Sequence, residues 1–187
     1  NTIVSSDDVG NWFNDVTNQG EVVYWIGAGW SGPGDITYDY NIFRYQIGVT
    51  TGLSDDQYFW NTYPLTDGIN VVYQKHDPCC GEQLYHITMF NNNLGEITLR
   101  PMGASKPEPS MDFQLRSGWI AFTKPGQGGL LQVWVRSPSG EESQISDFNA
   151  SSYIDALAPN GEVTFIADGQ RYLGARGTSP IDIGPAD

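Results

Sequence analysis

Four short strand-like runs, each ending in an aromatic residue, constrain the fold of this chain more than any other feature. They are Glu21-Val22-Val23-Tyr24, Asn70-Val71-Val72-Tyr73, Trp119-Ile120-Ala121-Phe122 and Glu162-Val163-Thr164-Phe165. The aromatics lie 49, 49 and 43 residues apart. A turn signal precedes each run: Asn18-Gln19-Gly20, Asp67-Gly68, Ser117-Gly118 and Asn160-Gly161. Self-similarity at such a period indicates stacked units, each of which buries its apolar face on a neighbour. The expectation is a single all-β repeat domain over 1–187, built of four antiparallel units of about 47 residues. The units fall at roughly 10–57, 58–106, 107–150 and 151–187.

Composition agrees with this. Aromatics make up 13% of the 187 residues, while 22 Gly and 11 Pro punctuate short segments, as an all-β chain with many turns requires. No apolar run of about 18 residues is present, so no membrane-spanning helix is expected. Twenty-two acidic against 9 basic residues give a formal charge of −13. Such a surface repels phosphate backbones and anionic lipid, which argues against a nucleic-acid partner. The acidity serves solubility or, alternatively, cation binding, although no Asp-x-Asp-x-Asp-Gly calcium loop is present. With Asn1 at its start and no visible leader, the chain reads as a mature or excised segment of a secreted or extracytoplasmic protein.

Each unit can be laid out as four strands. The first precedes the turn signal: Trp12 to Val16, Tyr58 to Tyr63, Met111 to Leu115 and Tyr153 to Leu157. The second is the aromatic-ending run. The third spans Tyr40 to Ile47, Gln83 to Phe90, Leu130 to Arg136 and Gln170 to Gly174. A short fourth strand includes Glu96 to Leu99 and Glu142 to Ile145. Leu131, Val133 and Val135 alternate with Gln132, Trp134 and Arg136, as a strand with two unlike faces should. Between the second and third strands lie a tight Asp168-Gly169 turn, a Pro/Gly-rich link at Lys124 to Gly129, and a long Gly-rich loop from Gly27 to Asp39.

Leu157-Ala158-Pro159-Asn160-Gly161-Glu162-Val163-Thr164-Phe165 echoes the Ser-Pro-Asp-Gly-x-x-Ile-Ala-Phe signature of some propeller blades. Ser117-Gly118-Trp119-Ile120-Ala121-Phe122-Thr123 echoes its second half, and Gln132-Val133-Trp134-Val135 is similar to the strand that follows it. On these residues the chain resembles a β-propeller of the TolB or WD-like kind. The resemblance implies a fold and no catalytic residues. A closed four-bladed ring, an open segment of a larger propeller and a β-sandwich remain alternatives. The end stretches Thr2-Ile3-Val4 and Ile181-Asp182-Ile183 are candidates to close a ring within one blade.

A polar residue recurs in the first strand of each unit: Asp15, Thr62, Asp112 and Asp155. If these strands line an axis, the carboxylates of Asp15, Asp112 and Asp155 converge and are candidate ligands for a cation such as Ca2+. The alternative is that each Asp bonds local backbone amides.

Both cysteines and both histidines lie in His76-Asp77-Pro78-Cys79-Cys80-Gly81-Glu82-Gln83-Leu84-Tyr85-His86. Cys79 and Cys80 are read as a vicinal disulfide forming an apolar knuckle at a hairpin tip, with Pro78 and Gly81 accommodating the turn. Two thiols, or a metal site completed by His76 and His86, are the alternatives. The histidines otherwise read as surface cross-strand residues.

Trp30 sits among glycines in the first long loop, with Tyr38, Tyr40, Tyr58 and Trp60 nearby in sequence. Aromatic faces on loops suit stacking of sugar rings. Trp60, Trp119 and Trp134 are expected to fill the core. Asn149-Ala150-Ser151 fits a glycosylation sequon. No phosphate loop, dinucleotide fingerprint, nucleophile elbow or metalloprotease helix is present. The sequence therefore points to an extracytoplasmic recognition module for a carbohydrate or protein ligand. Trp30, Tyr38, Tyr40, Cys79 and Cys80 are its candidate contacts. The alternatives are a polysaccharide hydrolase or lyase drawing on Tyr85, His86, Arg100 and Arg116, and a structural segment that oligomerises through blade edges.

Overall fold

A computed structural model of the protein describes residues 10–32, 35–54, 59–76, 85–101 and 113–186. Among these the chain is all-β, with no α-helix and one 3-10 turn at Gln127–Gly129. It divides into two compact units, Asn1–Gly103 and Ala104–Asp187.

Unit 1 holds two four-stranded antiparallel sheets. The first comprises β1 (Gly10–Val16), β2 (Val22–Gly32), β3 (Asp35–Gln46) and β4 (Val49–Gly52), hydrogen-bonded in that order. The second comprises β5 (Trp60–Thr66), β6 (Asn70–His76), β7 (Tyr85–Asn91) and β8 (Gly95–Arg100). Unit 2 repeats the plan. Its first sheet is β9 (Phe113–Arg116), β10 (Trp119–Pro125), β11 (Leu131–Arg136) and β12 (Glu142–Gln144). Its second is β13 (Ser152–Leu157), β14 (Val163–Ala167), β15 (Gln170–Gly174) and β16 (Ile181–Pro185). Each sheet is an up-and-down meander in chain order, as the four-strand layout anticipates. Ile181 to Ile183 lie in β16, the fourth strand of the last sheet, while Thr2 to Val4 fall outside the described residues.

The recurring aromatics all lie in second strands and are buried: Tyr24 is 3% exposed, and Tyr73, Phe122 and Phe165 are 0%. Burying a side chain of this size contributes about 1.5–3 kcal/mol relative to leaving it in water. The turn signals also act as expected. Gly20, Gly68, Gly118 and Gly161 all take positive φ (78°, 91°, 81° and 86°), which a Cβ would penalise. In three sheets the first strand carries a bulge opposite the aromatic. The register slips between Phe13 and Asp15, Thr62 and Leu65, and Ile154 and Ala156, facing Tyr24, Tyr73 and Phe165 respectively. The hairpin of β9 and β10 has no slip, and Phe113 pairs directly with Phe122.

One antiparallel sheet cannot cover its own apolar face, and both units solve this alike. β5 crosses β1, β2 and β3, and β13 crosses β9, β10 and β11. In unit 1, Val23, Ile42 and Leu53 meet Val71 and Tyr73. In unit 2, Ala121, Val133, Val135 and Ile145 meet Ile154, Leu157, Val163, Phe165 and Ala167. Trp119 packs against this core, and its ring leaves no room beside Gly161, where an added Cβ would lie 2.5 Å from it.

A polar clasp holds the fourth strand of each unit's first sheet. Leu53 N–H donates to Ile42 O (2.8 Å) and Ile145 N–H to Val133 O (2.8 Å). The next residue, Ser54 or Ser146, accepts from the N–H of Ile42 (2.9 Å) or Val133 (2.8 Å). Its hydroxyl donates onward to Asn41 Oδ1 (3.1 Å) or Gln132 Oε1 (2.8 Å). Gln132 sits on the polar phase of β11 yet is 1% exposed. Its Nε2 donates to Phe148 O (3.0 Å) and Ala150 O (3.1 Å), so its burial is compensated. In the second sheet, Ile87 occupies the place of Ile42 and Val133 and pairs with Arg100 where a serine would stand.

The Gly-rich stretch from Gly27 to Asp39 is not a long loop, contrary to the sequence expectation. It continues the β2–β3 ladder out to Gly32 opposite Asp35. Extended backbone needs partners for its N–H and C=O groups, and pairing the two arms supplies them. At the other end of this sheet, Ile47-Gly48 forms a two-residue turn between Gln46 and Val49. Its φ values of 48° and 80° are of the I′ kind, which favours Asn-Gly over a β-branched residue.

Two stability outcomes follow. Ser146→Ala leaves buried Val133 N–H without its acceptor and should lower unfolding free energy by about 1–3 kcal/mol in a urea titration; an unchanged midpoint would show that the clasp is dispensable. Ile47→Asn should raise stability by about 1 kcal/mol by relieving the left-handed isoleucine. A loss on that substitution would mean the side chain contributes packing despite its exposure.

Candidate functional site

The sequence-selected aromatics that the structure describes gather in unit 1, where β5 crosses the face of the first sheet. Tyr40 and Trp25 are diagonal neighbours on β3 and β2, with ring centroids 4.9 Å apart at 71°. Trp60 on β5 meets Tyr40 edge-on at 5.4 Å and 88°. Tyr63, also on β5, meets Trp25 at 6.3 Å and 50°. The result is a continuous chain of rings: Trp60, Tyr40, Trp25, Tyr63. Edge-to-face contacts of this kind add to the area buried and fix ring orientation.

The strand that carries the outer rings is anchored beside the inner ones. Asn61, buried at 0%, donates from Nδ2 to Tyr40 O (3.0 Å) and lies 3.4 Å from Asn41 Oδ1. Thus β5 is tied to β3 beside the rings. The outer members face solvent: Trp60 is 38% exposed and Tyr63 51%. Tyr63 takes φ of 53° within the β5 bulge, a left-handed conformation that is costly for a bulky residue. Local backbone strain here turns a large ring outward.

Of the candidate contacts read from sequence, Tyr40 is the one whose side chain is described, and it lies in this chain of rings. Trp60, the first residue of β5, is partly exposed rather than core. Trp25 and Tyr63 were not singled out from sequence. The Tyr-Pro pair inside an otherwise regular strand is the one signal for a bulge at Tyr63. The backbones of Trp30 and Tyr38 lie in the β2–β3 ladder, opposite Thr37 and Gly29. Cys79, Cys80, Asp112 and Tyr58 lie outside the described residues.

Beside Trp60, the arms of β6 and β7 carry a second cluster. Trp60 pairs with His76, and His76 with Tyr85. The His76 and Tyr85 rings are 5.3 Å apart, and Nε2 of His76 lies 3.1 Å from Gln74 Oε1. The Arg100 guanidinium stacks over Tyr85 at 4.2 Å, and both residues are fully buried. His86 sits on the alternate phase of β7, half-buried with its ring 6.1 Å from Phe59. Neither histidine is the plain surface residue expected of it. Arg116 belongs to unit 2, where its Nη1 donates to Leu157 O (3.4 Å).

Asp15, Thr62 and Asp155 do not share a ladder position: Asp15 pairs with Val23, Thr62 with Gln74, and Asp155 is the bulged residue between Ile154 and Ala156. Both Asp15 oxygens accept backbone N–H groups, Oδ1 from Val16 (2.9 Å) and Oδ2 from Thr66 (2.8 Å). Asp155 Oδ2 accepts from Thr164 Oγ1 (3.1 Å) and pairs with Arg171 Nε (3.1 Å). Among the described residues no three His, Cys, Asp or Glu side chains are grouped to hold a metal ion. Nor, among the described residues, is any helix long and apolar enough to cross a membrane.

Electrostatics differ between the units. Asn1–Gly103 contains 12 acidic and 3 basic residues, a formal −9 of the chain's −13. The resolved titration effect lies in unit 2, where the Arg176 guanidinium, bonded to Glu141 at 2.7 Å, holds that carboxyl below its ordinary range. That pair is solvent-exposed.

Compared with family models and with curated proteins, the chain matches none.

Tyr63→Asn should leave the urea midpoint unchanged or raise it. Asparagine tolerates the left-handed backbone, and relief of about 1–3 kcal/mol offsets the lost contact with Trp25. A marked drop in midpoint would show that the ring is there for stability rather than for presentation.

Proposed function

We propose that this chain is an extracytoplasmic recognition module that binds carbohydrate on the ring chain of unit 1. The observation that carries the reading is the contact of half-buried inner rings, Tyr40 and Trp25, with exposed outer rings, Trp60 and Tyr63. A sugar presents CH groups to aromatic faces, and a ledge whose rings are already fixed loses little entropy on binding. Trp30 and Tyr38, on the same hairpin, extend the supply of aromatics. The Cys79–Cys80 segment joins β6 to β7, next to His76 and Tyr85, and is proposed as a further contact.

The four sheets are read as propeller-type blades. What supports this is the shared plan of the two units, in which the first strand of one meander crosses the face of the preceding one. The rival reading is a hydrolase or lyase; of its candidates Tyr85 and Arg100 are fully buried, whereas His86 is half-buried and is the residue its test addresses.

A glycan array followed by calorimetry tests the proposal. Trp60→Ala should weaken binding of the best glycan about ten-fold or more, ~1.4 kcal/mol, without altering the fold. Absence of any glycan binding at high protein concentration overturns the proposal. So does turnover of an acidic polysaccharide that is lost in His86→Ala, which would establish the enzyme instead.

A further inference from the structure

The two exposed rings of unit 1 lie on one strand, three residues apart: Trp60 opens β5 and Tyr63 stands in its bulge. In a regular strand, residues three apart point to opposite faces. Here the register slips between Thr62 and Leu65, and Tyr63 takes a φ of 53°. The ring contacts show the result. Trp60 meets Tyr40 at 5.4 Å and Tyr63 meets Trp25 at 6.3 Å, while Tyr40 and Trp25 are 4.9 Å apart on one face of the first sheet. Both outer rings therefore rest on the same side of that sheet. The bulge brings the second one there, and the left-handed tyrosine is its conformational cost.

Spacing and chemistry then narrow the ligand. Three strand residues span about 10 Å, further than one sugar ring reaches. Between the rings, Asn61 is 0% exposed and Thr62 7%, so this stretch offers a ligand aromatic surface rather than side-chain hydrogen bonds. A ligand that touches both rings must be extended and must carry CH groups along a flat side. Sugars joined through equatorial bonds meet both demands. Their hydroxyls lie around the rim of each ring, their faces are lined with CH, and the chain runs straight. Sugars joined through axial bonds curl away from a straight strand.

We infer that the ring chain binds the interior of a linear, equatorially linked polysaccharide laid lengthwise along β5, not a single or terminal sugar. The inference rests on the carbohydrate reading and narrows it. Trp60 and Tyr63 hold sugars at separate positions of one chain, so affinity grows with chain length until both rings are covered.

The test is calorimetry of the full protein with cello-oligosaccharides, from glucose to cellohexaose, and with malto-oligosaccharides of the same lengths. Cellohexaose should bind at least about ten-fold more tightly than cellobiose, and by the same margin more tightly than maltohexaose. Tyr63→Asn, which suits the left-handed backbone, should erase the gain from cellobiose to cellohexaose. Tyr63→Phe, which keeps the ring, should retain it. Cellobiose binding as tightly as cellohexaose, equal binding of the malto series, or a length gain that survives Tyr63→Asn overturns the inference. So does an array on which only other glycans bind, and in that case the carbohydrate reading stands. Absence of binding to any glycan removes that reading and the inference with it.

Discussion

A four-stranded meander has two faces and too little chain to cover either, and everything else in this protein depends on that constraint. The solution in both units is to lay the first strand of one sheet across the face of the sheet before it. Hydrophobic burial then couples elements distant in sequence, such as Val23 with Tyr73 and Val133 with Phe165. The buried second-strand aromatics supply bulk to this arrangement. The bulges opposite three of them add the local twist that sheet-on-sheet packing needs.

The same crossing creates the candidate site. Where β5 runs over the first sheet, its side chains are not all covered. Trp60 and Tyr63 therefore meet the inner rings while keeping a solvent-facing edge. Tyr63 pays for that position with a left-handed backbone, and Asn61 secures the strand that carries it. Strain beside exposed aromatic surface is a pattern expected where presentation outweighs stability.

The strand menu was legible because alternation and turn chemistry are local. Asp168-Gly169, Ser117-Gly118 and the four left-handed turn glycines announce themselves within a few residues. The Gly27–Asp39 stretch misled because glycine weakens every local signal, and only its pairing partner reveals a strand. The recurring aspartates differ in position: Asp15 and Asp155 lie 9 and 10 residues before their aromatics, and because β1 and β13 carry the same one-residue bulge, that difference places Asp155 in the bulge and Asp15 just past it. A repeated Leu53-Ser54-Asp55 and Ile145-Ser146-Asp147 signal was visible in the sequence. Its meaning, a serine clasp on the third strand, emerges only once the fourth strand is seen folded back.

By itself, the sequence determined an all-β chain of four short meanders, its buried aromatics and its tight turns. These depend on side-chain alternation and on φ preferences within a few residues. Tertiary structure alone decided which aromatics stay exposed, and that Trp25, Tyr40, Trp60 and Tyr63 form one chain. Those outcomes depend on how two sheets cross, and crossing is set by long-range burial that no local pattern encodes.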